Sequence, residues 1–106
     1  MAVGANQPAV INAQVSTTTG GIKNALNLSA TTLVKGSRGY VCQVNVTTAG
    51  STNGAIYDSS ASGTIGATKL VAVVPEAVGT YFINFPCLTG IVFVPGTSMV
   101  ASISFA

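Results

Sequence analysis

The sequence predicts an all-β fold: an antiparallel β-sandwich of about seven strands, jelly-roll-like, with an extended N-terminal arm. Three observations carry this. Apolar residues recur at every second position through several short runs. Clusters of Gly, Pro, Asn and Ser break the chain about every ten residues. No amphipathic helix intervenes between the runs. A small barrel is the second arrangement that fits this pattern. A chain of 106 residues suits one domain with one core. It buries roughly 60–70% of its unfolded surface, enough to stand without metals or disulfides.

Residues 1–28 form the expected arm. Met1 to Gln7 is small and polar, and Pro8 disfavours helix just ahead of it. Residues 9–15 can pair as a strand, residues 16–21 are a low-complexity link, and the scattered apolar residues of 22–28 fit a helical turn. The apolar content of 9–15 and 22–28 suits a segment that orders against a neighbour.

The sandwich domain is expected over residues 29–106. A short strand over 30–34 closes at Lys35-Gly36-Ser37. The central stretch, residues 38–60, alternates Tyr40, Cys42, Val44 and Val46 with Val41, Gln43, Asn45 and Thr47. A loop carrying Asn53-Gly54, which tolerate positive φ, leads into Ala55-Ile56-Tyr57, so the stretch reads as a β-hairpin. Residues 59–67 are a small-residue loop. The next strand, 68–74, places Leu70, Ala72 and Val74 on one face. In 79–85, Tyr81, Ile83 and Phe85 alternate with Phe82 and Asn84, and Pro86 stops the strand. Residues 91–94 are apolar on both faces and read as a strand buried on both sides. Pro95-Gly96 is a tight turn into the last strand, 98–105, with Met99, Ala101, Ile103 and Phe105 on one face. The hairpins are not alike enough to make an internal repeat.

The charge content narrows function. Charged residues are 6% of the chain: Lys23, Lys35, Arg38, Lys69, Asp58 and Glu76. Globular chains ordinarily carry about 25%. The polar surface must therefore be Ser, Thr, Asn, Gln and Gly, which lose water cheaply because no charge is stripped. That is the surface of a protein that works in contact with other protein. A net charge of +2 points to neither nucleic acid nor membrane. Lys35-Gly36-Ser37-Arg38, the nearest thing to a basic cluster, reads as a solvated loop between strands. Residues 1–7 lack the basic and apolar regions of a secretory signal, and no apolar run reaches the ~20 residues that span a bilayer. Without a secretory route, Asn27-Leu28-Ser29 and Asn45-Val46-Thr47 are chance matches to the glycosylation pattern.

No residues stand out as catalytic, cofactor-binding or metal-binding. Histidine, the commonest general base and metal ligand, is absent. Asp58 and Glu76 are the only side-chain carboxylates and lie at different loop edges; Asp58, at a strand end, is expected to satisfy backbone N–H groups of the next turn. Cys42 and Cys87 have no C-x-x-C spacing and no histidine to activate them; Cys42, on the apolar face of its strand, reads as a buried free thiol, with a disulfide as the alternative. Glycine-rich pieces such as Thr19-Gly20-Gly21 lack the strand-then-helix setting of a phosphate loop. The seven aromatic residues are mostly at core-like positions and are expected in packing rather than in a stacking platform.

Residues 33–105 resemble a small β-rich domain of virion proteins from tailed bacteriophages and prophages. The matching pieces are Leu33-Val34-Lys35-Gly36 before Gly39-Tyr40, the Val44/Val46 strand with Ala49-Gly50, and Gly54-Ala55-Ile56-Tyr57-Asp58-Ser59. Later come Phe85-Pro86, Gly90-Ile91-Val92-Phe93 and Gly96-Thr97. These are turn glycines and core residues, so the resemblance transfers no catalytic residue. It implies a structural role in head decoration (cement), head-fibre or tail structures. The expected partners are the major capsid protein and copies of the chain itself, with a trimer as the first guess. No nucleic acid, membrane, small-molecule substrate or cofactor is expected. The expected location is the capsid surface of the virion, after synthesis in the bacterial host cytoplasm. Lasting interfaces of around 1,500 Å² are ordinary for such assemblies. A tail, fibre or spike module, or a carbohydrate-binding or adhesin module, is the alternative, and an enzyme is not expected.

Overall fold

The computed structural model describes residues 23–63 and 65–106. Among them are eight strands: β1 (Lys23–Leu28), β2 (Thr32–Lys35), β3 (Gly39–Thr48), β4 (Gly54–Tyr57), β5 (Leu70–Val74), β6 (Gly79–Cys87), β7 (Ile91–Val94) and β8 (Val100–Phe105). One turn of 3-10 helix, Ala67–Lys69, precedes β5. The strands form two four-stranded antiparallel sheets, ordered β1-β8-β3-β6 and β2-β7-β4-β5.

The pairing pattern explains that order. β1 pairs with β8, β2 with β7, β3 with β6 and β4 with β5, all antiparallel. The chain is thus one long double-stranded ribbon with its tip between β4 and β5. Rolling the ribbon adds the β3–β8 and β4–β7 contacts and yields a jelly-roll sandwich. The sandwich expected from sequence is present, with one strand more than expected.

The additional strand is β1, where a helical turn was expected. Ala25 and Leu28 both pack against the core, three residues apart, because Asn27 sits at φ 56 and breaks the register against β8. A bulge shifts the alternation by one residue, so apolar positions three apart imitate helical spacing. The strand expected over residues 9–15, and the remainder of the arm to residue 22, lie outside the described residues.

Residues 38–60 are not a hairpin. β3 and β4 belong to different sheets, and the loop between them is an arch across the end of the sandwich. The arch is tied to the two neighbouring crossings. The Gly50 amide donates to the Glu76 carbonyl at 3.0 Å and the Ser51 amide to the Thr97 carbonyl at 2.9 Å. Asn53 Oδ1 accepts from the Glu76 amide at 3.1 Å. Turn chemistry at Asn53-Gly54 was legible, but which strands it joins side by side was decided by the core they share. Likewise the turn expected at Pro95-Gly96 closes one step later: the Met99 amide donates to the Gly96 carbonyl, with Ser98 at φ 65.

Between the sheets, Val41 faces Phe105, Val44 faces Ile103 and Val46 faces Ala101 across the β3–β8 ladder, over Ile56 and Phe93 of the opposite sheet. Burying each such side chain contributes roughly 1.5–3 kcal/mol. Tyr40 was expected on this face; instead Val41 takes it, because the register slips at Cys42, which is itself buried as expected. From the Val41 pairs to the Gln43 pairs, β8 advances one residue, β3 two and β6 three. The strands lengthen toward the β6 edge, which bends the sheet; Asn84, at φ 49, lies within the longer β6 segment. Pro86 does not stop β6, which runs on to Cys87; an edge strand tolerates proline because one side of it makes no ladder bonds. Ile91, Val92 and Phe93 of β7 are fully buried, as the two-sided apolar run implied.

Candidate interaction surface

Asp58 was expected to cap a local turn. Placed at the end of β4, it reaches the turn between β6 and β7, some thirty residues away. One carboxylate oxygen accepts from the Leu88 amide at 2.9 Å. The other accepts from the Thr89 amide at 2.8 Å, the Thr89 hydroxyl at 2.7 Å and, longer, the Gly90 amide at 3.3 Å. Partial burial pushes the carboxyl's pKa up. The hydrogen bonds from Thr89, Leu88 and Gly90 outweigh it and hold the group below the ordinary carboxylate value. The Asp58 oxygens are therefore occupied by backbone, an anchoring role.

The two carboxylates are kept apart. Asp58 stands at the end of the sandwich where β6 turns into β7, and Glu76 stands at the opposite end, beside the Gly50 arch. Cys42 and Cys87 are buried thiols with no disulfide between them. Burial raises the Cys42 pKa; burial, and then the nearby Asp58 charge, push Cys87 up to about 11. Among the described residues no group of three or more His, Cys, Asp or Glu side chains could hold a metal. No helix among them is long and apolar enough to cross a membrane.

Two shallow grooves flank the end of β6. One, about 280 Å³, lies between Leu70, Phe85 and the Asp58–Thr89 anchor. The other, about 350 Å³, brings Lys35 and Arg38 beside Tyr40, Pro86 and Leu88. The basic pair brackets the exposed loop between β2 and β3, as expected, and also lines this groove. Neither groove is lined by a histidine or a cysteine.

The outer faces of the two sheets differ in chemistry. Cross-strand partners share a face, and residues next to core positions point away from it. On the β2-β7-β4-β5 sheet the register lines up Leu33, Val92, Tyr57 and Leu70 in one row and Val94, Ala55 and Val73 in the next. Both rows lack charge, and the hydroxyl of Tyr57 is their one polar side-chain group. On the β1-β8-β3-β6 sheet the corresponding rows are Asn24, Ser104, Gln43 and Phe82, then Ser102, Asn45 and Thr80. Those rows are amide and hydroxyl apart from the exposed Phe82 at the β6 edge, again without charge.

Exposed large apolar residues cluster further. Of the eight, only Leu26 and Leu33 lie on β1 and β2; Leu70, Val73, Val78, Phe82, Phe85 and Leu88 fall on β5, β6 and their connections. Phe82 is 71% exposed. Core packing, expected for most aromatics, holds for Phe93 and Phe105 and fails for Phe82 and Phe85. Leu70, expected inward with Ala72 and Val74, points outward because the register slips between Ile56 and Tyr57 and Val71 packs on the core instead. The signal for this surface was in the sequence: Leu70-Val71-Ala72-Val73-Val74 has no polar residue on either face, although β5 is an edge strand.

No family model, curated protein or solved structure matches the chain.

Proposed function

We propose that this chain is a structural virion protein of the phage head-decoration (cement) type, a non-catalytic sandwich that binds the major-capsid lattice and stiffens it. One observation carries the reading: the two central outward rows of the β2-β7-β4-β5 sheet are apolar and uncharged, in a chain with only six charged side chains. Monomeric proteins rarely expose apolar patches beyond a few hundred Å². Leu33, Leu70 and Val73 stand exposed around Val92, which is itself buried, and apolar residues grouped in this way favour contact with a neighbouring protein. The jelly-roll order supports the reading, since capsid domains use it, and so does the resemblance of residues 33–105 to phage virion domains.

The test is to locate the chain on particles. Gold-labelled antibody against it should decorate heads in negative-stain images, and the chain should cosediment with them. Label confined to tails or spikes would assign it to a tail or fibre module; chain left wholly at the top of the gradient would overturn the virion reading. A saccharide-binding alternative rests on Phe82 beside the amides of Gln43 and Asn45. Silence across a glycan array would remove it.

A further inference from the structure

We infer that copies of this chain bind one another through the β5–β6 flank, related by a two-fold axis normal to the sheets. β5 of one copy then runs antiparallel beside β5 of the second. The inference deepens the assembly reading by naming the surface used between copies, and it replaces the three-fold first guess with a pair.

The first argument is the edge itself. β5 and β6 are the edge strands of their sheets on one side of the sandwich. β5 is Leu-Val-Ala-Val-Val, an unpaired edge with no charge inside it, and Leu70, Val71 and Phe85 line an open groove beside it. An open apolar edge of this kind is a template for pairing with another strand. The flank is built rather than loose at its turn: the Tyr81 hydroxyl donates to the Ala77 carbonyl at 2.7 Å beside the exposed Val78.

The second argument is charge. Lys69 immediately precedes β5 and Glu76 follows it by two residues, so opposite charges bracket the strand. Both are exposed, and among the described residues neither has an ion-pair partner. Antiparallel apposition about the two-fold sets Lys69 of each copy beside Glu76 of the other, twice. The opposite flank differs: about the same two-fold, Lys23 of β1 meets the Leu28 end of its copy and Lys35 of β2 the Thr32 end, so neither lysine finds an opposite charge. Only the β5–β6 side is complementary to itself. Pairing there also extends the sheet, so two copies present one apolar outer face of double width.

The experiment is sedimentation of the purified full chain at about 100 μM, where a micromolar Kd fills the pair. Twice the 10.5 kDa chain mass is expected. Lys69→Glu alone, or Glu76→Lys alone, places like charges together and should raise Kd about tenfold or more. Mixing the two variants should restore pairing, since each Glu then meets a Lys at both contacts. Exposed sites make the swaps neutral to folding, which near-UV circular dichroism checks. A single-chain mass, a three-chain mass, or a Kd indifferent to both swaps would overturn the inference. So would pairing that emerges only after deletion of residues 2–20, because the flank's occupant would then be the chain's own N-terminus. Loss of pairing while the chain still sediments with heads sinks the two-fold contact alone; pairing without head binding sinks the decoration reading alone.

Discussion

Removing the Asp58 carboxylate should unfasten one end of the sandwich without touching the core. Asp58→Ala strips three short hydrogen bonds, from the Leu88 amide and from the amide and hydroxyl of Thr89, and one long bond from Gly90. Bonds to a charged acceptor contribute about 1.5–3 kcal/mol each when buried, but this carboxylate is only half-buried and water replaces part of what is lost. About 1 kcal/mol for each short bond gives about 3 kcal/mol in all, or a fall in Tm of about 15 °C for a domain of this size. Asp58→Asn keeps one acceptor oxygen but turns an NH₂ toward a donor, and should cost about half as much. Urea unfolding monitored by tyrosine fluorescence reads both, with the slope unchanged. The pH dependence supplies an independent check. The folded carboxyl lies below its ordinary value of 3.8, so its contribution is fully present above that pH and disappears as pH falls through the lower folded value. The gap between native chain and Asp58→Ala should therefore close in acid. A variant within about 0.5 kcal/mol of the native chain at pH 7 would refute the anchoring argument.

Three further outcomes follow from the same structure. Gly90→Ala should cost more than about 3 kcal/mol in urea unfolding, because a Cβ there would run into the backbone carbonyls of Ser59 and Lys35, which cannot swing aside. Cys42 and Cys87 should resist a thiol reagent at pH 8 in the folded chain and react together on unfolding, since both are buried and burial raises both pKa values; rapid labelling of the native protein would contradict their placement. Ser98→Gly should raise stability by about 0.5–1 kcal/mol by relieving a left-handed backbone at φ 65, measured as a shift in the urea midpoint.

What the sequence disclosed, and what it hid, divides along the bulges. Where strands run unbroken, as in β8 with Ala101, Ile103 and Phe105 inward, alternation alone assigns the core face. Where a residue is inserted, at Asn27, at Cys42 and between Ile56 and Tyr57, the phase flips, and reading by twos puts Tyr40 and Leu70 on the wrong side. A bulge has no composition of its own; it is fixed by how a partner strand must fit, which one chain read linearly does not contain. The same limit applies to the arch after β3. Its turn residues were recognisable, whereas the partners of Asn53 and Gly50 lie at Glu76, more than twenty positions on. The Asp58 anchor was half legible, as an Asp at a strand end, but its target turn is also a long-range choice.

The four edges show why self-association through one flank need not run away into fibres. An open edge strand is a template for further pairing unless it is short, charged or kinked. β1 carries Lys23 and a break at Asn27; β2 has four residues and ends in Lys35. β6 is interrupted at Asn84 and by Pro86. β5 alone offers five apolar residues with no charge inside the strand. A two-fold contact consumes that one permissive edge on both copies and leaves none to propagate, whereas a head-to-tail contact between flanks would leave one open at each end. Closure follows from symmetry. Few charges are then needed to protect the remaining edges: Lys23 and Lys35 guard β1 and β2, and the break at Asn84 with Pro86 guards β6.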